Sequence, residues 1–299
     1  MELRPLSRKE KIIAYAAWGA VCLFWGTTYL AIRIGVRTVP PGLFGGLRFL
    51  TAGLLFLAYL RWRGHVLPRG RELLDMVIVG IALLVTSNGL VIWAEQWVPS
   101  SIAALLVATL PFWMAGFEAV LPSGEPLTIR KVAGIIIGFA GLVILLSPEI
   151  ETSFDMSYFR GVAALLLAPL CWSAGSVYSK SRPAKSHPLM AATMQMIVAG
   201  IILIFIGGMF GEWQRFSLEL EGVAATAYLV VFGSIVGYGS FIYALAKLPA
   251  TKVAMYAYVN PVIAVLLGWL ILDERMDWSV LLATAVVLLG VVLVKSSRS

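Results

Sequence analysis

The 299 residues are 60% hydrophobic and only 13% charged, with a mean hydropathy of +0.90 and a formal net charge of +7. A soluble domain carries about 25% charged residues, and a chain of this size cannot hide so much apolar side chain in a water-soluble core. This excludes an ordinary globular protein in water, and it makes the basic excess a matter of membrane topology rather than of nucleic-acid binding.

Apolar runs of roughly 20 residues, long enough to cross a bilayer, alternate with clusters of charge. They predict ten helices, at 12–36, 42–60, 74–93, 101–121, 132–147, 161–178, 188–210, 222–245, 250–272 and 278–294. The first is too long for a signal-peptide core and lacks a small-residue cleavage site before the next run, so it reads as a retained helix. Cys22 and Cys171 both fall inside spans, which argues against a structural disulfide. Basic residues near helix ends favour the cytoplasmic side. With the N-terminus inside, Arg37, Arg160, Arg215 and Arg275 lie outside and Arg33 and Arg48 lie within spans, leaving 17 of the 23 Lys and Arg on the inner side. Both termini are then cytoplasmic, and the acidic loop "PEIETSFD" (148–155) is outside.

The chain says nearly the same thing twice. "NGLVIWAEQWVPSSIAALLVATLP" (Asn88–Pro111) aligns with "YGSFIYALAKLPATKVAMYAYVNP" (Tyr238–Pro261), placing Gly89 on Gly239, Pro99 on Pro249 and Pro111 on Pro261. At a slightly different offset Trp25 falls on Trp172, Arg33 on Lys180, Arg48 on Gln195 and Gly53 on Gly200; at another, Glu125 falls on Glu274 and Gly141 on Gly290. Each copy, 1–150 and 151–299, holds five spans. Five is odd, so the second copy enters the membrane from the opposite side. The expected fold is all-α, ten transmembrane helices as two inverted five-helix repeats around a central cavity, an architecture shared by many secondary transporters.

Candidate site residues follow from this frame. Trp25 and Tyr29 share one face of the first helix, as Trp172 and Ser176 do in its counterpart. Asn88 and Tyr238 are an equivalent mid-span polar pair. Trp113, Tyr256, Tyr258 and Asn260 flank the two matched prolines. An aromatic lining with a few polar groups suits a partly apolar small molecule, and all ten are expected to bind substrate. Pro111 and Pro261 lie mid-span, where each removes a backbone hydrogen bond, and read as paired bends or gates. The helix 3–4 and helix 8–9 hairpins would then gate opposite faces. Arg48 reads as a structural group that snorkels outward or ties its helix to loop carbonyls, and Arg33 and Lys180 as snorkelling anchors. Apart from Asp75, the second residue of the third span, Glu118 is the one acid within the expected spans and the candidate for proton coupling. Gly134, Gly138 and Gly141 give the fifth helix a small-residue face, open to a homodimer contact or to an intramolecular one. There is no Walker loop, metal-spaced His/Cys cluster or nucleophile elbow, so neither enzyme, cofactor nor metal chemistry is expected.

The stretches "WGTTYLAIRIGV" (Trp25–Val36), "PPGLFGGLRFLTAG" (Pro40–Gly53), "NGLVIWAE" (Asn88–Glu95), "VPSSIAALLVATLP" (Val98–Pro111), "SGEPLT" (Ser123–Thr128), "CWSAGSVYSK" (Cys171–Lys180), "AYVNPVIAVLLG" (Ala257–Gly268) and "DERMDW" (Asp273–Trp278) together resemble the EamA-type exporters of the drug/metabolite transporter superfamily. The resemblance covers nearly the whole chain. It implies a multi-pass transporter of a bacterial-type cytoplasmic membrane that exports small metabolites, amino acids or related amphipathic compounds being the favoured class. An uncoupled facilitator is the alternative, and a membrane enzyme or scaffold a more remote one. The halves differ at Arg48/Gln195 and Asn88/Tyr238, so the cavity between them is expected to be chemically asymmetric.

Overall fold

The structure, a computed structural model, describes residues 7–120, 128–152 and 155–296. Among them every regular element is a helix, and each of the ten expected spans falls on one. They are α1 (Arg8–Gly35), α2 (Pro41–Trp62), α3 (Arg71–Ala94), α4 (Ser100–Val107, resuming as Leu110–Val120), α5 (Ile129–Thr152), α6 (Met156–Ser181), α7 (Pro188–Met209), α8 (Leu220–Lys247), α9 (Ala250–Val253, resuming as Tyr256–Leu272) and α10 (Trp278–Ser296). Seven of the described helices are long and apolar enough to cross a bilayer, and Tyr256–Leu272 and Trp278–Leu293 are shorter apolar helices. Leu54, Ile136, Val143, Phe205 and Leu282 stand exposed around the bundle. Lipid can accept such a surface and water cannot.

Local chemistry sets the helix starts. Ser7 accepts from the Glu10 backbone N–H at 3.2 Å while the Glu10 carboxylate takes the Ser7 N–H at 2.9 Å, a reciprocal cap. Pro41 and Pro188 open α2 and α7 at the first turn, where a missing N–H costs nothing.

Packing shows the inverted repeat directly. A Cβ on Gly53 of α2 would meet Ile197 of α7, and a Cβ on Gly200 of α7 would meet Leu50 of α2. Leu50 and Ile197 are themselves repeat equivalents. The same reciprocity joins α5 and α10, where Gly141 faces Val287 and Gly290 faces Gly138. Residue i touching j while j's equivalent touches i's is the signature of two-fold packing. The glycine face of α5 is thus filled from within the chain, by α10 and by the Phe112 ring against Gly138.

The ends repeat the pattern at opposite faces. Arg33 donates from Nη1 to the main-chain carbonyl of Glu95. Its equivalent Lys180 donates to the carbonyls of Leu245 (2.7 Å) and Leu248 (2.9 Å). Both residues bind the turn that follows the third helix of their half, rather than snorkelling toward headgroups.

The helices that carry Pro111 and Pro261 are both interrupted, but not at equivalent points. α4 breaks at Ala108–Thr109, just before Pro111, where the ring removes the N–H that Val107 would have used. α9 breaks at Ala254–Met255, well upstream of Pro261, which stays inside the helix. Tighter turns carry that break, Ala257 N–H bonding Ala254 O (3.1 Å) and Tyr258 N–H bonding Met255 O (3.1 Å). Glu118, Glu125 and the tip of the acidic loop at 153–154 lie outside what is described, the first for its side chain only.

Candidate functional site

A small cavity of about 50 Å³ lies where the two halves meet, walled by α1, α2, α3, α4, α6, α8 and α9. Trp25 stands at its centre. The Trp25 indole N–H donates to the carbonyl of Gly233 at 3.1 Å, and its ring meets Trp172 (5.3 Å, edge-on), Phe241 (5.1 Å) and Tyr256 (5.0 Å, edge-on). Trp25 and Trp172 are repeat equivalents in contact with each other, so the approximate two-fold axis passes through this cavity. The wall is therefore aromatic from both halves.

Two wide turns bring the mid-span polar pair to the wall. α3 is π-helical over Ile81–Asn88, and α8 over Leu229–Tyr238. Each segment ends on the residue that faces the cavity, Asn88 in one half and Tyr238 in the other. A π turn holds more residues than an α turn and rotates the face that follows; such segments recur at functional sites.

The two halves use this geometry differently. In the second half the Tyr238 hydroxyl donates to Gln195 Oε1 at 2.6 Å, both groups buried. In the first half the equivalents are Asn88 and Arg48, and they are not paired. Arg48 is 3% exposed, and its Nε donates to Ser234 Oγ at 2.9 Å. Its Nη1, the Asn88 Oδ1 and the Trp172 indole N–H are buried without a partner. Two donors and one acceptor are thus left open on an aromatic cavity. Beyond Gln195, toward the face that carries the termini, lies a second cavity of about 360 Å³ lined by Asp75, Tyr178, Arg182 and Lys185. The Tyr238–Gln195 bond separates the two spaces.

Two consecutive regions, 13–147 and 159–296, match the model of the EamA-like transporter family. The chain belongs to the EamA-like transporter family. It is 38% identical to the inner membrane transporter YedA of Escherichia coli over 96% of this chain and 92% of that one. It is 30% identical to PagO of Salmonella typhimurium over 82% and 80%, and 25% identical to the transporter YoaV of Bacillus subtilis over 91% and 93%. A solved structure superposes with a TM-score of 0.68 at 23% identity, covering 97% of this chain and 99% of that one, a likeness of fold. The matched family is one of transporters, YedA and YoaV are named as transporters, and the chain is a multi-pass membrane protein.

Of the residues that sequence singled out in this EamA-like chain, Trp25, Tyr29, Asn88, Trp172, Tyr238, Tyr256 and Asn260 line the central cavity. Asn260, with its amide turned to satisfy it, donates to the carbonyls of Tyr256 (3.2 Å) and Cys22 (3.1 Å), tying α9 to α1. Three stand elsewhere. Trp113 packs edge-on against Phe139 of α5, Tyr258 donates to the Val291 carbonyl of α10 at 2.8 Å, and Ser176 is buried in α6 one turn past Trp172. Pro111 and Pro261 are buried beside the cavity without lining it. Among the described residues no three His, Cys, Asp or Glu side chains gather as a metal site.

Two charged residues matter more than the spacing suggested. Arg48 neither snorkels nor binds a loop carbonyl; it lines the cavity. Glu95, at the corner between α3 and α4, is 0% exposed and neither carboxylate oxygen has a partner. Burial pushes its carboxyl above the usual carboxylate range; Glu274 acts in the same sense, and the guanidinium groups of Arg33 and Arg48 act against it. The signal available in sequence was the contrast with its repeat equivalent, Leu245.

Asn88→Leu separates binding from packing. Its Oδ1 has no partner to lose, so thermal unfolding in detergent is expected to hold or rise, by up to about 1 kcal/mol. Transport per folded protein is expected to fall. A parallel drop in both would make Asn88 a packing residue.

Proposed function

We propose that this chain is a secondary-type exporter that works by alternating access, and that its substrates are amino acids or closely related amphipathic carboxylates. The observation that carries the reading is the buried, unpartnered Arg48 Nη1 beside an aromatic-walled cavity. A buried guanidinium with an open donor is costly unless an anion completes it. A carboxylate is the geometric match for that donor. The Asn88 Oδ1 is an acceptor suited to an ammonium group, and Trp25, Tyr29, Trp172 and Tyr256 supply the apolar wall for a side chain. Two inverted halves that share this cavity can expose it to one face and then the other.

The purified chain, reconstituted in liposomes, is to be tested against a panel of labelled amino acids with and without a pH gradient. Uptake of panel members above empty vesicles, strongest for apolar side chains, is expected. Uptake of neutral or cationic organic compounds alone would overturn the carboxylate assignment.

The same reading puts the termini in the cytoplasm of a bacterial-type inner membrane, supported by the basic excess of the segments on their side. Single cysteines at Val66 and Met156, both exposed, report on this. An impermeant maleimide should label position 156 in intact cells and position 66 only after the membrane is opened. The reverse would invert the topology.

A further inference from the structure

Three acids are tucked between helices, and the structure treats them differently. Glu212 accepts the Gly42 N–H (3.2 Å) and the Leu43 N–H (2.9 Å) at the start of α2. Glu274 accepts from the backbone N–H and the hydroxyl of Ser100 (2.7 Å each) and from those of Ser101 (2.9 and 2.6 Å) at the start of α4. Donors of that kind satisfy the carboxylate oxygens. Glu95 is the most buried of the three and accepts from nothing. An ionised carboxylate that is dry and without donors is strongly disfavoured, and such a group takes a proton instead.

Its neighbours do not rescue the charge. From α1, Arg33 and Tyr29 lie within electrostatic reach, but Arg33 Nη1 is engaged on the main-chain carbonyl of Glu95. From α2, Arg48 faces the same corner with its Nε on Ser234. Glu274, after α9, adds a like charge. Helix α6 packs on the corner through Gly161 and carries the buried Tyr158 and the exposed Arg160 next to it. The Glu95 oxygens thus lie near cations without touching them.

The fold does not require an acid here. The inverted copy builds the same corner with Leu245, which is buried, while Lys180 binds its carbonyl as Arg33 binds that of Glu95. The main chain makes the latch in both halves. Only the first half adds a carboxyl group.

We propose that Glu95 is a proton-binding site that controls opening at the α3–α4 corner: the neutral acid seals the corner, and loss of its proton to water favours the open form. The inference rests on the alternating-access reading for its consequence, a transport cycle sensitive to pH at one face. The sign follows from the geometry. Closing places the group where only the neutral form is tolerated, so low pH favours the closed corner and rising pH opens it. In the open form, water or the Arg33 guanidinium can meet the carboxylate.

The test uses the full chain in liposomes with no substrate, so its failure and that of the amino-acid assignment are separate results. In a background with Cys22→Ala and Cys171→Ala, infrared spectra of the protein with Glu95 intact and of its Glu95→Gln variant are compared across neutral pH. A carbonyl band of a protonated, weakly hydrogen-bonded carboxyl is expected with Glu95 and absent from the variant. A reporter, Val98→Cys, sits buried against Gly161 and becomes reactive only when the corner opens. Its maleimide labelling rate with Glu95 intact, divided by the rate in the Glu95→Gln variant, cancels the thiol's own titration. This ratio should climb with pH, by up to about tenfold per unit, the limit for one linked proton. Glu95→Leu, which introduces the residue type of the inverted copy, is the folded control should the Glu95→Gln variant misfold, and the same ratio is read against it. No carboxyl band, a band that survives the substitution, or a flat ratio would overturn the proposal.

Discussion

Arg48→Met is expected to cut transport of a labelled amino acid by about 30-fold or more while the protein remains folded. Truncating one member of a buried, hydrogen-bonded charge pair costs about 2–5 kcal/mol, and each 1.4 kcal/mol is a factor of ten. Here the missing member would be the substrate carboxylate. Arg48 makes one side-chain hydrogen bond, to Ser234, and its Nη1 is buried without a partner. Replacing a buried charge by an apolar side chain of similar length is often neutral or stabilising. The one group orphaned is the Ser234 hydroxyl, worth about 1–3 kcal/mol, and Ser234→Ala in the same chain removes that penalty. Arg48→Lys, which keeps the charge but loses the planar fork, should fall between. Uptake of labelled phenylalanine normalised to folded protein is the measurement. A loss of flux no larger than the loss of folded protein would return Arg48 to a purely structural role.

Trp25 shows why that normalisation matters. It touches three aromatic rings and holds the Gly233 carbonyl, so Trp25→Ala opens a large hole at the centre of the bundle. A cost of about 3–5 kcal/mol in stability is the expectation. Asn88 and Arg48 carry the cleaner tests because each leaves atoms unpartnered.

The spans, the inversion and the Trp25/Trp172 pairing were legible in sequence because each is a signal summed over many residues. Hydropathy adds over a whole helix, and the repeat adds over half the chain. Direction within the bundle is another matter. α2 is apolar almost all round, with its buried side made largely of glycine and phenylalanine, so no polar stripe marks which way Arg48 points. Aromatic identity likewise cannot tell a cavity wall from a helix contact, which is why Trp113 and Tyr258 turned out to face α5 and α10. The π turns that end at Asn88 and Tyr238 are backbone choices made by packing, and ordinary residues fill them. Glu95 falls between the expected spans 74–93 and 101–121, and its burial is invisible there because α1 and α6, which close the corner, are far away in the chain.

Tethering either face should stop transport entirely. At one face Glu274, from the second half, grips the first turn of α4 through Ser100 and Ser101. At the other, Lys247 of α8 pairs with Glu10 of α1 at 3.2 Å. Both contacts join one half to the other, and they lie on opposite faces because the halves are inverted. If the halves rock about the axis through Trp25 and Trp172, opening a face must separate the contact there. Cysteines at Ser101 and Glu274, bridged by a short bifunctional maleimide, should trap the first face shut. Cysteines at Glu10 and Lys247 should do the same at the second. Single-cysteine partners treated with the same reagent control for the loss of each polar contact. A substrate can shift the balance only by binding the two states unequally, so no concentration of amino acid should overcome a covalent tether. The untethered double variants are expected to keep measurable flux, and the bridged ones to fall to the level of empty vesicles. Unchanged flux in both bridged proteins would rule out rocking and leave a continuous pore through the aromatic cavity as the account.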